Sequence, residues 1–541
     1  MRPRVLPLAE LRSIGGSAWL FILALPVASL IAGFILRDHA GPFWLWSNLD
    51  PDYWYLLDSL NLINLNWPVH IAHPGTPLQV FGAVLIKLAH PFSSSAEITE
   101  RVLSAPETYL HLIHTGLVFL NSAALGFIGL CGYLVFTDRV AIVLLQLGPF
   151  VSKLNIKWMT HVAPEPLLII VVLILAGVSL LALRPGQMEE NRDRYAVIFG
   201  IIAGFGMATK ITSIGIYFLP IVLLWNARSL AVYAIAGLLS IVIFTLPAAG
   251  SYADILGHIN NISVGSQTLG EVKKPFIDFT EYPAQLVRIS SRPIFFVVLF
   301  ASLLMVGYLG YRTKAMSEPF PITGRLMAGL CIAFIVQALV VAKHPSGHYM
   351  IPVLVLGTLG ITLLYRQLVD ICSASGAGRR RVTAFFALLC VGLVIAQTLT
   401  LVKLDRQFQE RANVATDLND DRFAKCARIF FWSAASPSYA LQLGNDMVGN
   451  PFSENLRKLR PNNDFWFEVV SKEFRDWQSV RDVRDIANHY PCIYARGLYP
   501  NRILPELNRL LPHRTFVRAC SPKGGHETIL TSGVDCQGTI Q

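Results

Sequence analysis

Residues 164–183 read PEPLLIIVVLILAGVSLLAL, twenty positions with a single charge, Glu165, near the start. About 20 apolar residues in a helix span the ~30 Å hydrocarbon core of a bilayer. In lipid a helix also satisfies its own backbone groups, so the run predicts a transmembrane helix. Comparable runs lie at 17–36, 110–136, 140–158, 195–209, 211–225, 229–249, 293–310, 324–342, 349–365 and 382–402, which brings the expected spans to eleven. The stretch 76–90 (TPLQVFGAVLIKLAH) is shorter and holds Lys87, so it reads as an interfacial helix.

Composition agrees with a polytopic α-helical membrane protein. Of 541 residues, 53% are hydrophobic and only 15% charged, too few charges to coat a soluble protein of this size. The apolar runs end near residue 402. From Lys403 onward there are 19 basic and 16 acidic residues with aromatics between them, which predicts a small folded α+β domain over 403–541. The net charge of +10 therefore lies mostly before it, as 26 basic against 19 acidic residues. No basic helix or aromatic–basic groove supports a nucleic-acid partner.

Charge bias sets the orientation. Arg2, Arg4 and Arg12 precede the first run, which reads as a retained signal anchor with a cytoplasmic N-terminus. With eleven spans, the inner segments, counted with Arg325, hold 15 of those 26 basic residues, including Arg379, Arg380 and Arg381. The outer segment 37–109 holds seven acids and only Arg37, Lys87 and Arg101. Reading 76–90 as a span would put the arginine block outside. The expected division is a membrane domain 1–402, with outer loops 37–109 and 250–292, and an outer soluble domain 403–541.

The cysteines give a separate reading. Cys131, Cys331 and Cys390 fall in spans and Cys372 in an inner loop. Cys426, Cys492, Cys520 and Cys536 all lie in the outer tail, where four thiols suggest two disulfides. Proximity in sequence favours Cys520–Cys536 and Cys426–Cys492, and the spacings match no zinc site. Within the tail, 466–477 and 480–490 read as helices and 491–497 (PCIYARG) as a buried strand.

The residues suited to chemistry cluster at outer ends of spans. The first outer loop carries NLDPDYWYLLDSLNLINLNWPVHIAHPGTPLQ over 48–79, with Asp50, Asp52, Asp58, His70 and His73. A carboxylate there can act as general base toward a hydroxyl, and partial desolvation strengthens a group whose pKa in water is near ~3.9. The plainer reading is that Asp-Pro-Asp caps the helix starting near Tyr53. His70, His73 and Pro-Gly-Thr-Pro form either a pocket-shaping, phosphate-holding turn or the entry to the interfacial helix. Glu165 either lines a cavity or complements its helix N-terminus. Lys210, Lys343, His344, His348 and Tyr349 place cations where a leaving phosphate would need them, unless the lysines merely snorkel. The 250–292 segment has the length of a lid or binding loop.

In their order along 15–400, these features resemble the GT-C superfamily of polyprenyl-phosphate-sugar glycosyltransferases. Relatives there include protein O-mannosyltransferases and lipid A aminoarabinose and galacturonic-acid transferases. The resemblance rests on the acid pair after the first span (Asp50-Pro51-Asp52-Tyr53), on His73-Pro74-Gly75-Thr76-Pro77 opening an interfacial helix, on Glu165-Pro166 and Thr209-Lys210, and on Lys343, Tyr349 and Pro352. Several relatives carry Asp-Glu where this chain has Asp-Pro-Asp-Tyr, so either aspartate can be the counterpart.

The resemblance implies that Asp52 or Asp50 is the base and that Lys210 and Lys343, with His348 and Tyr349, hold the donor phosphate. His70, His73, Glu165 and His344 would line the pocket. It implies inverting transfer of a sugar from a polyprenyl-phosphate donor to a hydroxyl of a glycan, lipid or protein, without a metal or cofactor. The setting it implies is a bacterial inner membrane with a periplasmic active site. A polysaccharide polymerase or ligase, with arginine and histidine in a late outer loop, is an alternative, as is a transporter of lipid-linked substrates. A transporter would place its ionisable groups near the midplane instead.

Overall fold

Pro164–Leu181 is the most enclosed of the long apolar helices, with 17 of its 18 residues buried. The computed structural model describes residues 14–46, 52–71, 74–264, 279–343, 345–416, 420–432, 436–459, 463–468, 471–518, 520 and 527–541. Among them, eight helices are long and apolar enough to cross a membrane: Gly16–His39, Pro106–Phe136, Pro164–Leu181, Ala227–Gly257, Pro293–Met316, Ile322–Lys343, Gly347–Ile371 and Gly376–Asn413. The protein is a polytopic α-helical membrane protein with a C-terminal α+β domain.

Three of the eleven expected runs take other forms. Gly148 and Pro149 interrupt 140–158, because proline has no N–H to continue a helix. The run becomes Arg139–Gln146, capped by Asp138, a short 3-10 turn, and Lys153–Trp158, capped by Ser152. The run 195–209 is the apolar part of Gln187–Thr209, whose first half is polar and bends at Asn191. The run 211–225 splits into a 3-10 helix Ile211–Phe218 and a short α-helix Leu219–Leu224 around Pro220. The 250–292 segment is not simply a loop, since Tyr252–Val264 and Tyr282–Ser290 are helical. The stretch 76–90 forms the helix Thr76–Ala89, whose 14 residues are too few to span.

The chain divides into two compact units, each described by itself. The first contains 1–34, 71–78 and 115–402. Here Pro164–Leu181 packs against Gln187–Thr209 and Ile351–Ile371. Gln187–Thr209 in turn lies very close to Ala227–Thr245. A Cβ on Gly204 would sit 2.4 Å from Ser240 Cβ, and one on Gly200 would sit 2.6 Å from Ala236 Cβ. Small residues four apart permit this approach, as is common between membrane helices. The crossing fixes the helix whose end carries Thr209 and Lys210.

The second unit joins 35–70 and 79–114 to 403–541. Its sheet has six strands, β1 (Ala427–Phe431), β2 (Asp464–Glu468), β3 (Glu473–Arg475), β4 (Val480–Arg481), β5 (Ile493–Gly497) and β6 (Thr528–Ser532), in the order β4-β3-β2-β1-β5-β6. β1 is parallel to β2 and β5, and the remaining pairings are antiparallel. Ile429, Phe431, Phe465, Phe467, Ile493 and Leu530 belong to the core of this domain. Asp52–Ile63 packs on Pro437–Met447, where a Cβ on Gly444 would approach Leu57 Cδ1 to 2.9 Å.

The strand expected over 491–497 is present as β5, but the helix expected over 466–477 is not. That stretch is the end of β2, a turn through Lys472 at φ 58°, and β3. Phe465, Phe467 and Phe474 then point their rings into one core, which the alternation of aromatic residues favours over a helix. In 480–490 only Val483–His489 is helical, capped by Asp482.

Both disulfides pair as expected, Cys426 with Cys492 and Cys520 with Cys536. The first joins the residues preceding β1 and β5. Cys131, Cys331, Cys372 and Cys390 are free thiols. Maleimide labelling of denatured, unreduced protein should therefore modify four cysteines, and reduction should raise the number to eight. Labelling of all eight before reduction would contradict both pairings.

Candidate active site

In the first unit, residues far apart in sequence meet at helix ends. Glu165 lies in the first turn of Pro164–Leu181, and Lys210 follows Gln187–Thr209 in extended conformation. Lys210 Nζ is 2.5 Å from Glu165 Oε1, and the two side chains are only 3% and 2% exposed. A pair this enclosed loses the hydration of both charges, so each depends on the other. His348 Nε2 is 3.9 Å from the same carboxylate oxygen. The Lys210 ammonium is 5.1 Å from the Tyr349 ring centroid.

The surroundings hold this cluster in place. His348 packs against Tyr349 at 4.2 Å and Trp158 at 5.2 Å between centroids, and its Nδ1 is 2.8 Å from Ser346 Oγ. Gln337 Nε2 donates to the carbonyls of Thr212 and Tyr349, while its Oε1 accepts from the Gly215 N–H. Gly75, at φ 77° in the Pro-Gly-Thr-Pro turn, donates its N–H to the Ala208 carbonyl, two residues before Lys210. A left-handed residue at that turn is best supplied by glycine.

The turn after Lys343 gathers further cations that sequence reasoning passed over. Arg288 Nη2 donates to the Pro345 carbonyl at 3.0 Å. A Cβ added to Gly347 would meet Arg292 Nη2 at 2.9 Å, so the guanidinium lies against this turn. Burial and the nearby Arg288 hold Arg292 below the usual guanidinium range. Arg292 also lines an apolar groove of about 820 Å³, together with Ser152, Val297, Leu354, Phe386 and Leu393. Its position before Pro293, at the start of a span, was the available signal. Asn155, fully buried, leaves both amide atoms without a partner among the described residues, as does the Thr76 hydroxyl. Thr76 belongs to the Pro-Gly-Thr-Pro motif, whereas Asn155 had no signature in the sequence.

The second unit holds the acids of the first outer loop. Asp52 opens Asp52–Ile63 and is 3% exposed. Buried Arg37 has Asp52 and Glu107 as its charged neighbours. Glu107 accepts from the Phe43 N–H at 2.8 Å and the Tyr53 hydroxyl at 2.7 Å. Arg37 thus faces Asp52 and Glu107 together, which a reading of the loop alone did not reveal. His70 is buried edge-on against Trp54 and Tyr55, at 4.8 and 5.3 Å. Asp50, His73 and His344 lie outside the described residues.

Asp58 organises this loop. It accepts from Val69 N at 3.0 Å, His70 N at 2.8 Å, Gln79 Nε2 at 2.9 Å and Asn61 Nδ2 at 3.1 Å. Burial pushes its carboxyl up to about 6, against the opposing pull of the Val69 and His70 N–H groups. A raised carboxyl binds its proton more tightly in the folded state. Its favourable term is complete below the unfolded value, near 3.8, and is lost as pH rises through about 6. Stability from this group should fall by about 1 kcal/mol between pH 5 and pH 8. Asp58→Asn should remove that slope while lowering stability at every pH, because an amide offers the four donors less acceptor capacity. Unfolding temperatures across pH 5 to 8 check this, and an unchanged slope in the variant would refute it.

No family model matches the chain, and no curated protein matches it. In the course of its chain the protein is similar to ArnT. Two crystal structures of ArnT from Cupriavidus metallidurans resemble it, each with a TM-score of 0.49. The one bound to undecaprenyl phosphate is 11% identical and covers 97% of this chain and 100% of its own. The apo one is 10% identical, with 95% and 98% covered. What the site can do follows from its own residues.

Proposed function

We propose that this protein is a membrane glycosyltransferase that takes a sugar from a polyprenyl-phosphate donor. The observation that carries the proposal is the position of Arg292, which lies against the turn before His348 and also lines an apolar groove of about 820 Å³. A lipid phosphate needs that combination: an isoprenoid chain in an apolar channel and an anionic head among cations. Lys210, Arg288, Arg292 and Lys343 supply four positive charges around this turn, with Glu165 as the counter-charge at Lys210. The unpartnered amide of Asn155 supports a polar ligand near Lys153–Trp158, which packs on the same turn.

In this reading the departing phosphate gains charge as the sugar leaves, and Lys210 and its neighbours stabilise it. Asp52 takes the proton from the acceptor hydroxyl as that oxygen attacks, giving inversion in one displacement. Its support is burial at the head of a helix with Arg37 as a charged neighbour. Asp50 is the second candidate. The acceptor is a hydroxyl of a periplasmic glycan, lipid or protein, and the setting is a bacterial inner membrane with the disulfide-bonded domain outside. No metal is assigned a step.

The test uses purified protein in liposomes supplied with a radiolabelled undecaprenyl-phosphate-linked sugar and candidate acceptors. The expected result is acceptor-dependent release of undecaprenyl phosphate with the label moved to the acceptor. Movement of intact lipid-linked sugar across the bilayer, without discharge, would identify a transporter instead.

A further inference from the structure

The soluble domain carries a second feature, remote in sequence from every residue assigned above. A cleft of about 260 Å³ opens between the β3–β4 turn and the helix Val483–His489. Phe465, Trp477, Ile486 and Tyr490 give it an apolar and largely aromatic lining. Gln478, Arg481, Asp485 and His489 add polar groups, all on exposed residues.

We propose that this cleft binds a single neutral saccharide unit. Three observations select that class. The volume suits one sugar ring better than an extended peptide or a lipid chain. The aromatic lining offers flat π-surface to the C–H face of a ring, while amide, guanidinium and imidazole groups meet its hydroxyls. The charges also carry no cationic excess: Arg481 Nε is 2.6 Å from Asp476 Oδ2, which leaves Asp485 beside His489 and nothing to select a phosphate or an acidic sugar.

Hydrogen-bonding capacity remains for a ligand. His489 Nδ1 pairs with the Asp485 carbonyl at 2.8 Å, and its Nε2 has no partner among the described residues. The Arg481 guanidinium gives Nε to Asp476 and reaches Gln478 Oε1 with Nη2 at 3.5 Å, and Nη1 has no such partner. Trp477 itself is held by edge-on packing against Trp466 at 5.0 Å, so the aromatic surface is ordered before a ligand arrives. Preorganisation of that kind lowers the entropic cost of binding.

The experiment places the full-length protein in lipid nanodiscs free of glycoside detergents. Methyl α-glucoside, methyl α-mannoside, methyl β-galactoside and N-acetylglucosamine are titrated separately and followed by saturation-transfer difference NMR. At least one should bind saturably, with transfer strongest at ring C–H protons. His489→Ala, which leaves the domain core untouched, should weaken that binding about fivefold or more. Trp477→Leu should abolish it, with an unchanged disulfide pattern showing that the domain still folds. Absence of saturable binding for all four up to about 50 mM overturns the proposal. So does binding that both variants leave unchanged. Because binding is read without transfer, failure of the donor reaction would not imitate either result.

Discussion

Lys210→Met is expected to damage both stability and transfer, and a second substitution separates the two effects. In the wild type, Lys210 and Glu165 neutralise each other at 2.5 Å with almost no exposure. Removing the lysine leaves a buried carboxylate with only His348, at 3.9 Å, beside it, which costs up to about 3–5 kcal/mol. Transfer should fall by about 10²–10³, the loss typical when a group that stabilises developing negative charge is removed. Adding Glu165→Gln removes the stranded charge, so the double variant should recover most of the thermal stability. It should not recover transfer, because nothing replaces the cation facing the phosphate. Unfolding temperature and donor discharge, measured on both variants, check this. Recovery of both properties would make the pair a purely structural ion pair.

Asp52→Asn is expected to lower transfer by about 10²–10⁴ while expression, disulfide formation and polyprenyl-phosphate binding persist. The amide keeps the size of the side chain but cannot accept a proton at the rate catalysis requires. The fold should survive, because Arg37 retains Glu107 as a charged neighbour, and Glu107 keeps its bonds to Phe43 and Tyr53. The separation of binding from turnover is the informative readout. A helix cap would cost stability and leave the rate per folded molecule unchanged. If Asp52→Asn and Asp50→Asn both turn over donor at the wild-type rate, the general base lies elsewhere.

Fold class was legible because it depends on runs of like residues. Pro164–Leu181 and seven other long helices announce themselves by length and apolarity. The runs that fail are those broken by single residues, Pro149 and Pro220, or carrying a polar half, as Gln187–Thr209 does. Window averages conceal such features. The tail was misread at 466–477 because helical and alternating patterns overlap over so few residues, and only pairing with β1 and β3 decides between them.

The candidate site was legible in its local members and not in its partnerships. Glu165, Lys210, His348 and Tyr349 each stood out as polar residues at span ends, and the folded chain brings them together. Arg288 and Arg292 were hidden at the end of a segment read as a loop. Arg37 faces Asp52 and Glu107 from positions 15 and 70 residues earlier in the chain, separations that carry no local signal. Asp58 could be seen, but its four donors could not.

The turn after Lys343 and the Glu165–Lys210 pair are proposed to receive a lipid phosphate. The most direct measurement is a structure of the protein with undecaprenyl phosphate bound. The phosphate is expected within hydrogen-bonding distance of Lys210, Arg292 or Lys343, with the isoprenoid chain along the groove formed by Val297, Leu354, Phe386 and Leu393. Lipid bound elsewhere, with that groove empty and a water-filled path through the spans, would contradict it.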